Sequence, residues 1–358
     1  MKKISIVVGA RPNFIKIAPL VREMKAQKLS FEIVHTGQHY DFEMSQIFFK
    51  DLSLPKPDFN LEVGSGPHGW QTGKIMERLE ALFLKRPPNL VIVVGDVNST
   101  LAGALVSAKL KIPIAHIEAG LRSFDREMPE EINRKLTDHL STFLFCPTKT
   151  AVENLKREGI RKGVYLSGDV MYDAFLEGIK IAQKKSKILE KLNLSSKNYF
   201  LATIHRAENT DKKENLKNIV EALCEIKNLV FPCHPRTEKY LKKYGLWKKA
   251  KKNLILIEPV GYIDMLWLEK NAKKILTDSG GVQKEAFFAK VPCITLRERT
   301  EWVETVREGW NILVGTDKKK IKKAVENFDP KSSPRNVFGR GNLSLIHISE
   351  PTRPRLIS

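Results

Sequence analysis

The sequence predicts an α/β protein with two Rossmann-like domains, each built around a parallel β-sheet. Three observations support this fold class. Short β-rich runs alternate with amphipathic helical segments along almost the whole chain, which is typical of β-α-β units. The alternation stops at a lysine-rich helical stretch and then begins again. With 358 residues, 42% of them hydrophobic, the chain is also longer than one domain usually needs.

The first domain is predicted to contain five strands and four helices. The strands are short apolar runs at Ile4–Val8, Phe31–Val34, Leu90–Val94, Ile114–Ile117 and Phe143–Cys146. The helices, which carry apolar residues at three- and four-residue intervals, are Asn13–Ala26, Gly73–Leu84, Thr100–Lys109 and Glu130–Leu140. Strands and helices that alternate in this way form a parallel sheet covered on both faces.

The second domain is predicted to repeat this arrangement after a helical stretch from about Val170 to Ser196. Its strands are Tyr199–Thr203, Leu229–Pro232, Leu254–Ile257, Lys274–Thr277 and Cys293–Leu296. We place the two domains at residues 1–169 and 170–342. Two such sheets in series predict a cleft, with ligands at the carboxyl ends of the strands. The last segment, Leu343–Ser358, has no periodicity that connects it to the fold, and we expect it to be a non-native tail.

The formal net charge of +20 raises nucleic-acid binding as an alternative function. The lysines are scattered over predicted helix faces and loops, however, so we expect neither a nucleic-acid nor a membrane partner. No apolar run approaches the roughly 18 to 20 residues of a membrane span. The four cysteines lie far apart, and three are in or beside apolar runs. We therefore expect free thiols, no metal site and a cytoplasmic protein.

Basic side chains follow predicted strands in both domains. Arg11 and Lys16 come after the first strand, at or just inside a helix start, where an anion is favoured. Two surface cations near a helix cap are an equally good interpretation. His205 and Arg206 follow the first strand of the second domain, and His234 follows the next strand. A histidine and an arginine at such a position are candidate phosphate contacts.

Three carboxylates of the first domain are candidates for acid and base chemistry. Asp96 and Glu118 each follow an apolar strand, although Asp96 could only cap the next helix. Glu130 follows Pro129 at a predicted helix start, where it could simply interact with the helix dipole. Neighbouring carboxylates can have their pKa values pushed apart, which suits separate acid and base roles.

A Ser-Gly-Gly turn in the second domain predicts a phosphate-binding helix start. Ser279, Gly280 and Gly281 follow a strand and open a helix, so their backbone amides are available to a phosphate. Glu285 lies one turn into that helix, where it can accept hydrogen bonds from a ribose diol. The first domain contains no GxGxxG motif, which disfavours a nicotinamide cofactor.

Seven motifs, in order, resemble those of the non-hydrolysing UDP-N-acetylglucosamine 2-epimerases: GARPNFIKIAPL, HTGQHYD, GDVNSTLAGAL, HIEAGLRS, MPEEINR, HRAEN and TDSGGVQKEA. The resemblance covers residues 1 to about 341. It implies a glycosyltransferase-B-like fold, a homodimer, and an isomerase of a UDP-sugar that supplies polysaccharide precursors and uses neither metal nor nicotinamide. A glycosyltransferase of the same architecture is the nearest alternative, because fold alone does not define function.

The resemblance also implies a reaction that begins with elimination of UDP and ends with its re-addition. It assigns a role in that reaction to each candidate residue. The acid and base candidates are Asp96, Glu118 and Glu130, and which of them removes the proton stays open. His205 is implied to be a further catalytic residue, which assists at the phosphates. The residues implied to bind the UDP-sugar are Arg11, Lys16, Arg206, His234, Ser279, Gly280, Gly281 and Glu285. A second, regulatory substrate molecule is implied near Gln38, Gln71 and His234.

One departure from the motifs of the family leaves the identity of the substrate sugar open. Many relatives read T-E-R-P-E where this chain has Thr300-Glu301-Trp302-Val303-Glu304, so Trp302 replaces an arginine. This variant resembles the branch that acts on UDP-2,3-diacetamido-2,3-dideoxyglucuronate. We take UDP-N-acetylglucosamine as the first candidate substrate and the uronate as the alternative.

Overall fold

The structure, a computed structural model, describes residues 3–38, 54–339 and 341. The chain divides into two compact units, and each unit has its own sheet and hydrophobic core. The first unit extends to Leu176 and includes the segment that begins at Asn336, whereas the second runs from Glu177 to Arg335. The predicted non-native tail, Leu343–Ser358, lies outside the described residues.

The sheet of the first unit consists of β1 (Ile4–Val8), β2 (Phe31–His35), β3 (Phe59–Asn60), β4 (Leu90–Val94), β5 (Ile114–Ile117), β6 (Phe143–Cys146) and β7 (Val164–Leu166). The strands are parallel, in the order β3-β2-β1-β4-β5-β6-β7. All five predicted strands are present, with bounds that agree to within one residue. The sequence did not reveal β3 and β7, because edge strands of two or three residues are too short to show a pattern.

The helices of the first unit are α1 (Arg11–Ala26), α2 (His68–Lys85), α3 (Asn98–Lys109), α4 (Pro129–Leu140), α5 (Lys149–Arg157) and α6 (Val170–Lys185), which continues into the second unit. Pro12 and Pro129 lie in the first turns of α1 and α4, where a missing N–H costs little. Helix α2 begins five residues before its predicted start, since Gly69 and Gly73 hide the helical pattern there. None of the described helices is both long and apolar enough to cross a membrane.

The second unit repeats the same topology. Its strands are β8 (Phe200–Thr203), β9 (Leu229–Pro232), β10 (Ile255–Ile257), β11 (Lys274–Thr277), β12 (Cys293–Thr295) and β13 (Asn311–Leu313), in the parallel order β10-β9-β8-β11-β12-β13. Its helices are α7 (Ile188–Lys191), α8 (Ala207–Thr210), α9 (Lys213–Leu223), α10 (Pro235–Lys243), α11 (Trp247–Asn253), α12 (Tyr262–Asn271), α13 (Gly280–Ala289), α14 (Val303–Arg307) and α15 (Lys318–Asn327). The five predicted strands are confirmed, and β13 is a further short edge strand.

Both faces of the first sheet are buried. Ile6 and Ile92 point into the core cluster that includes Phe14 of α1, whereas Val7 and Val93 point into the cluster on the opposite face. Because successive side chains of a strand alternate between faces, a sheet covered on both sides requires continuous apolar runs. This is why β4 is an unbroken hydrophobic segment and β1 is interrupted only by Ser5, whose hydroxyl donates to Glu32.

We expect Gly163→Ala to destabilise the protein much more than Gly159→Ala. Both glycines have positive φ values, 67° and 85°, so alanine costs about 1 to 2 kcal/mol of backbone strain at either site. A Cβ on Gly163 would also overlap the carbonyl oxygen of Thr142, whereas one on Gly159 would meet nothing within 4 Å. The overlap adds about 1 to 3 kcal/mol. Urea unfolding measures both costs, and equal losses would contradict this account.

Candidate active site

The predicted site residues follow strands at the switch points of the two sheets. In the first unit β1 lies between β2 and β4, and in the second β8 lies between β9 and β11. At such a point the connections leave in opposite directions, so the carboxyl ends of the two central strands stay uncovered and bind ligands. Gly9 and Gly95 follow β1 and β4, whereas Ile204 and Asp278 follow β8 and β11.

A buried ion pair joins two of the predicted residues in the first unit. Lys16 Nζ, on α1, donates to Glu118 Oε2, directly after β5. A Cβ on Gly95 would lie 2.9 Å from Lys16 Nζ and 3.4 Å from Glu118 Oε2, so the pair packs against the backbone that leads into Asp96. Asn13 anchors the start of α1, because its Nδ2 donates to the carbonyl of Val94 at 2.9 Å. A cation and two carboxylates therefore gather at the ends of β4 and β5.

Asp96 is held by helix α4. Arg134 Nη2 donates to Asp96 Oδ2 at 2.6 Å, and Asn133 Nδ2 donates to the Asp96 carbonyl at 2.8 Å. The Asp96 side chain is 27% exposed, whereas that of Arg134 is 4% exposed. Asp96 thus keeps access to solvent while its backbone and one oxygen are fixed. Its expected alternative role as a cap of α3 is not the one observed, since Val97 is the N-cap residue of that helix.

The two glutamates that begin α4 have different environments. Glu131 is buried, accepts from the backbone N and Oγ of Ser123 at 2.8 and 3.0 Å, and pairs with Arg134 Nη1 at 3.0 Å. It braces the loop that follows Glu118. Glu130 lies beside it in the first turn and is half-buried. The side chain of Arg11, predicted to neutralise UDP, lies outside the described residues.

In the second unit a fully buried aspartate organises the predicted phosphate contacts. Asp278, after β11, accepts from the backbone N of His205 at 3.1 Å and of Arg206 at 3.0 Å. Asn209 Nδ2 donates to the same carboxylate at 3.0 Å. The His205 ring approaches Asp278 Oδ1 at 3.6 Å and lies 5.7 Å from the His234 ring. The structure therefore brings His205, Arg206 and His234 to one edge of the sheet, as the sequence predicts.

Helix α13 begins at the predicted Ser-Gly-Gly turn. Ser279 is its N-cap and accepts from the backbone N of Val282 at 3.5 Å. A Cβ on Gly280 would overlap the Glu301 carboxylate, which would have to shift, whereas one on Gly281 would meet only Ser279 Oγ, at 3.8 Å. A ten-residue helix therefore begins at the switch point, where its N-terminal amides and the helix dipole favour an anion. Glu285 follows in the second turn and is 6% exposed.

The segment that departs from the family pattern packs over this helix. The Trp302 ring is buried and lies 3.9 Å from Lys284 Nζ, a cation–π contact. Glu301 pairs with Arg297 Nη1 at 3.2 Å. Burial alone would lower the pKa of the Arg297 guanidinium, but Glu301 and Glu208 raise it above its usual value. Residue 302 therefore contributes an aromatic ring beside Gly280.

The residues predicted to bind a regulatory molecule are bonded internally. Gln38 Oε1 accepts from the backbone N and Oγ of Ser99, at 3.0 and 2.6 Å. Gln71 Nε2 donates to the carbonyls of Gln38 and Gly64, and its Oε1 accepts from Asn98 at 2.8 Å. These bonds tie α2 to the start of α3, which is a structural role.

The sequence did not single out Asp278, Arg134 or Glu131, although each supports a predicted residue. The available signal was a charged residue immediately beside a strand end or on a helix start, in the motifs TDSGG and MPEEINR. In the described residues no group of three or more histidine, cysteine, aspartate or glutamate side chains is arranged to hold a metal ion.

We expect Asp278→Asn to destabilise the protein by about 1 to 3 kcal/mol, because one buried acceptor becomes an amide that faces N–H donors. Asp317→Asn is the matched control. Asp317 caps α15 by accepting from Lys320 N at 2.8 Å, and asparagine caps equally well. Thermal unfolding compares the two variants. A neutral Asp278→Asn, or equal losses in both, would contradict the role assigned to Asp278.

Comparison with known proteins agrees with this geometry. The family model for UDP-N-acetylglucosamine 2-epimerase matches residues 22–345. A UDP-N-acetylglucosamine 2-epimerase homolog from Methanococcus maripaludis is 60% identical over 350 residues, covering 96% of this chain and 97% of the relative. A UDP-2,3-diacetamido-2,3-dideoxy-D-glucuronate 2-epimerase from Pseudomonas aeruginosa is 51% identical over 322 residues, or 87% and 88% of the two chains.

A solved structure extends the likeness to three dimensions. The crystal structure of Methanocaldococcus jannaschii UDP-GlcNAc 2-epimerase, in complex with UDP-GlcNAc and UDP, superposes with a TM-score of 0.91 at 50% identity and covers 98% of this chain and 99% of its own. Its fold is glycosyltransferase-B-like, as predicted from the motifs. The chain therefore belongs to the UDP-N-acetylglucosamine 2-epimerase family, and it is an isomerase of that family.

Proposed function

We propose that the protein interconverts UDP-N-acetylglucosamine and UDP-N-acetylmannosamine without hydrolysing them. The observation that carries this proposal is the group formed by Lys16, Glu118 and Asp96 at the strand ends of the first unit. Inversion at carbon 2 requires one group that removes the proton and one that returns it on the other face. The Methanocaldococcus jannaschii relative was solved with UDP-GlcNAc and UDP, the substrate and the leaving group of such a reaction.

The reaction we propose is an anti elimination followed by re-addition. A carboxylate takes the carbon 2 proton, the electrons of that C–H bond form the C1–C2 double bond, and the bond from carbon 1 to the phosphate oxygen breaks. UDP leaves with that electron pair. It then adds back to carbon 1 while carbon 2 is protonated from the opposite face. Asp96, Glu118 and Glu130 are the candidate acids and bases, and Lys16 and Arg11 balance the charge on departing UDP.

We assign UDP binding to the strand ends of the second unit. The start of α13, at Gly280 and Gly281, suits the diphosphate. Ser279, which caps that helix, adds a hydroxyl. His205, Arg206 and His234 lie at the same edge of the sheet and contribute further donors to the phosphates. Glu285 is assigned to the ribose hydroxyls.

UDP-2,3-diacetamido-2,3-dideoxyglucuronate is the alternative substrate. Two observations favour it, namely the 51% identity to a Pseudomonas aeruginosa enzyme named for that sugar and the buried Trp302. The chemistry at carbon 2 is the same for both sugars, so the assignment of carboxylates does not depend on this choice.

The protein is proposed to act as a cytoplasmic homodimer. Ile132 and Leu136, one turn apart on α4, are 51% and 46% exposed, and Phe124 is 65% exposed. Large apolar side chains that share one helix face indicate an interaction surface.

The free cysteines support the proposed cytoplasmic location. Cys146, which is buried, and Cys224, which is partly exposed, are among the four free thiols, as expected in a reducing compartment.

Proton NMR of the purified protein with each UDP-sugar, in separate samples, tests the proposed activity. We expect epimerisation of at least one of them, and a loss of about 100-fold or more in kcat for Glu118→Gln, which keeps the side chain's size but removes its basicity. Glu214→Gln, on the exposed start of α9, is the matched control and should keep full activity. Turnover of neither sugar, or an unaffected Glu118→Gln, would overturn the proposal.

Light scattering with size-exclusion chromatography tests the proposed dimer. The wild type should elute as a dimer and Leu136→Glu as a monomer, because a charge on this face cannot be buried without a partner. Leu84, 66% exposed at the end of α2, provides the control variant Leu84→Glu, which should remain dimeric. A monomeric wild type, or a dimeric Leu136→Glu, would contradict the assignment of this face.

A further inference from the structure

Histidine 116 lies directly behind the strand ends that carry the candidate catalytic carboxylates. It belongs to β5 and is fully buried. Its Nδ1 is 2.7 Å from Asp138 Oδ1, and its Nε2 is 2.9 Å from the carbonyl oxygen of Gly95. A carbonyl oxygen is only an acceptor, and so is an ionised carboxylate. Both ring nitrogens must then carry a proton, which makes His116 an imidazolium.

The remaining contacts of Asp138 show that its carboxylate is ionised. Its Oδ2 accepts from the backbone N of Gly120 at 3.1 Å and from Arg122 Nη1 at 2.7 Å. Burial alone would raise the pKa of Asp138, but the bonds from His116 and Arg122 hold it below its usual value. Arg122 also donates to both oxygens of Glu158, at 2.7 and 2.6 Å. Two cations and two carboxylates therefore alternate in one neutral network.

A nearby thiol does not add charge to this network. Cys146 is buried, and its burial, together with the charge of Asp138, raises the pKa of its thiol. The thiol stays neutral at any physiological pH, so the groups that set the charge of His116 are Asp138, Arg122 and Glu158.

The network holds the backbone on both sides of the candidate carboxylates. The Gly95 carbonyl, bonded to His116, precedes Asp96, and the Gly120 amide, bonded to Asp138, comes two residues after Glu118. All three of Gly95, Glu118 and Gly120 have positive φ values, of 72°, 74° and 78°. For Glu118 this backbone is strained, and it persists only where the surroundings enforce it.

We propose that His116, Asp138 and Arg122 are positioning residues, an ionic network that sets the relative placement of the Asp96 and Glu118 carboxylates. The inference rests on the catalytic roles proposed for those two residues. His116 is the link between them, since one ring nitrogen bonds the loop after β4 and the other bonds the aspartate that holds the loop after β5. The network itself does not touch the substrate.

Two variants of His116 separate positioning from stability. In His116→Asn the amide nitrogen takes the place of Nδ1 and keeps the bond to Asp138, whereas in His116→Gln it takes the place of Nε2 and keeps the bond to Gly95. Both lose the charge. We expect similar melting temperatures, but a kcat reduced about 100-fold with an unchanged KM in both variants, because each breaks one side of the link between the two loops. A kcat close to that of the wild type in either variant would overturn the positioning role.

Nitrogen-15 NMR of the wild type, labelled at its eight histidines, tests the network without a variant that must fold. One ring should show two N–H protons that exchange slowly with solvent, because both of its nitrogens are buried and hydrogen-bonded. Only singly protonated rings would contradict the network. If the wild type epimerises either sugar and both variants keep its kcat, this inference fails while the proposed function stands. An inactive wild type refutes the proposed function, and the NMR signal then decides whether the network exists.

Discussion

Backbone N–H groups at the ends of parallel strands must find acceptors once the sheet can no longer supply them, and buried aspartates meet this constraint in both units. Asp138 accepts from Gly120 in the first unit, and Asp278 accepts from His205 and Arg206 in the second. A buried N–H without an acceptor costs about 1 to 3 kcal/mol, so these carboxylates determine which loop conformations are stable. The candidate catalytic and phosphate-binding side chains project from those loops.

Both units use a buried aspartate to hold their loops, but the charges that surround the strand ends are opposite in kind. In the first, each carboxylate near the strand ends is matched by a cation, as in the pairs Lys16–Glu118 and Arg134–Asp96. In the second, Asp278 accepts from backbone amides, and the start of α13 carries the positive end of its helix dipole. The first arrangement suits proton transfer, and the second suits a diphosphate.

Most of the fold was predictable because its strands are buried on both faces. A continuous apolar run marks β4 and a nearly continuous one marks β1, whereas β3 and β13 have two or three residues at a sheet edge and leave no pattern. Candidate site residues were predictable where they follow a strand directly, as Asp96 and Glu118 do. Arg134 and Asp138 were not predictable, because the side chains they contact, Asp96 and Arg122, are 38 and 16 residues away in sequence. The change from arginine to Trp302 was visible, but its packing on Lys284 required the structure.

The central claim is that the bond between carbon 2 and its hydrogen breaks and re-forms on the enzyme. Incubation of UDP-N-acetylglucosamine, or of the diacetamido-uronate if that is the sugar turned over, in heavy water tests it directly by NMR and mass spectrometry. The account predicts one deuterium at carbon 2 of the epimerised product, with no acceptor sugar present, and none elsewhere in the ring. Epimerised product that retains its original hydrogen at carbon 2 would contradict it.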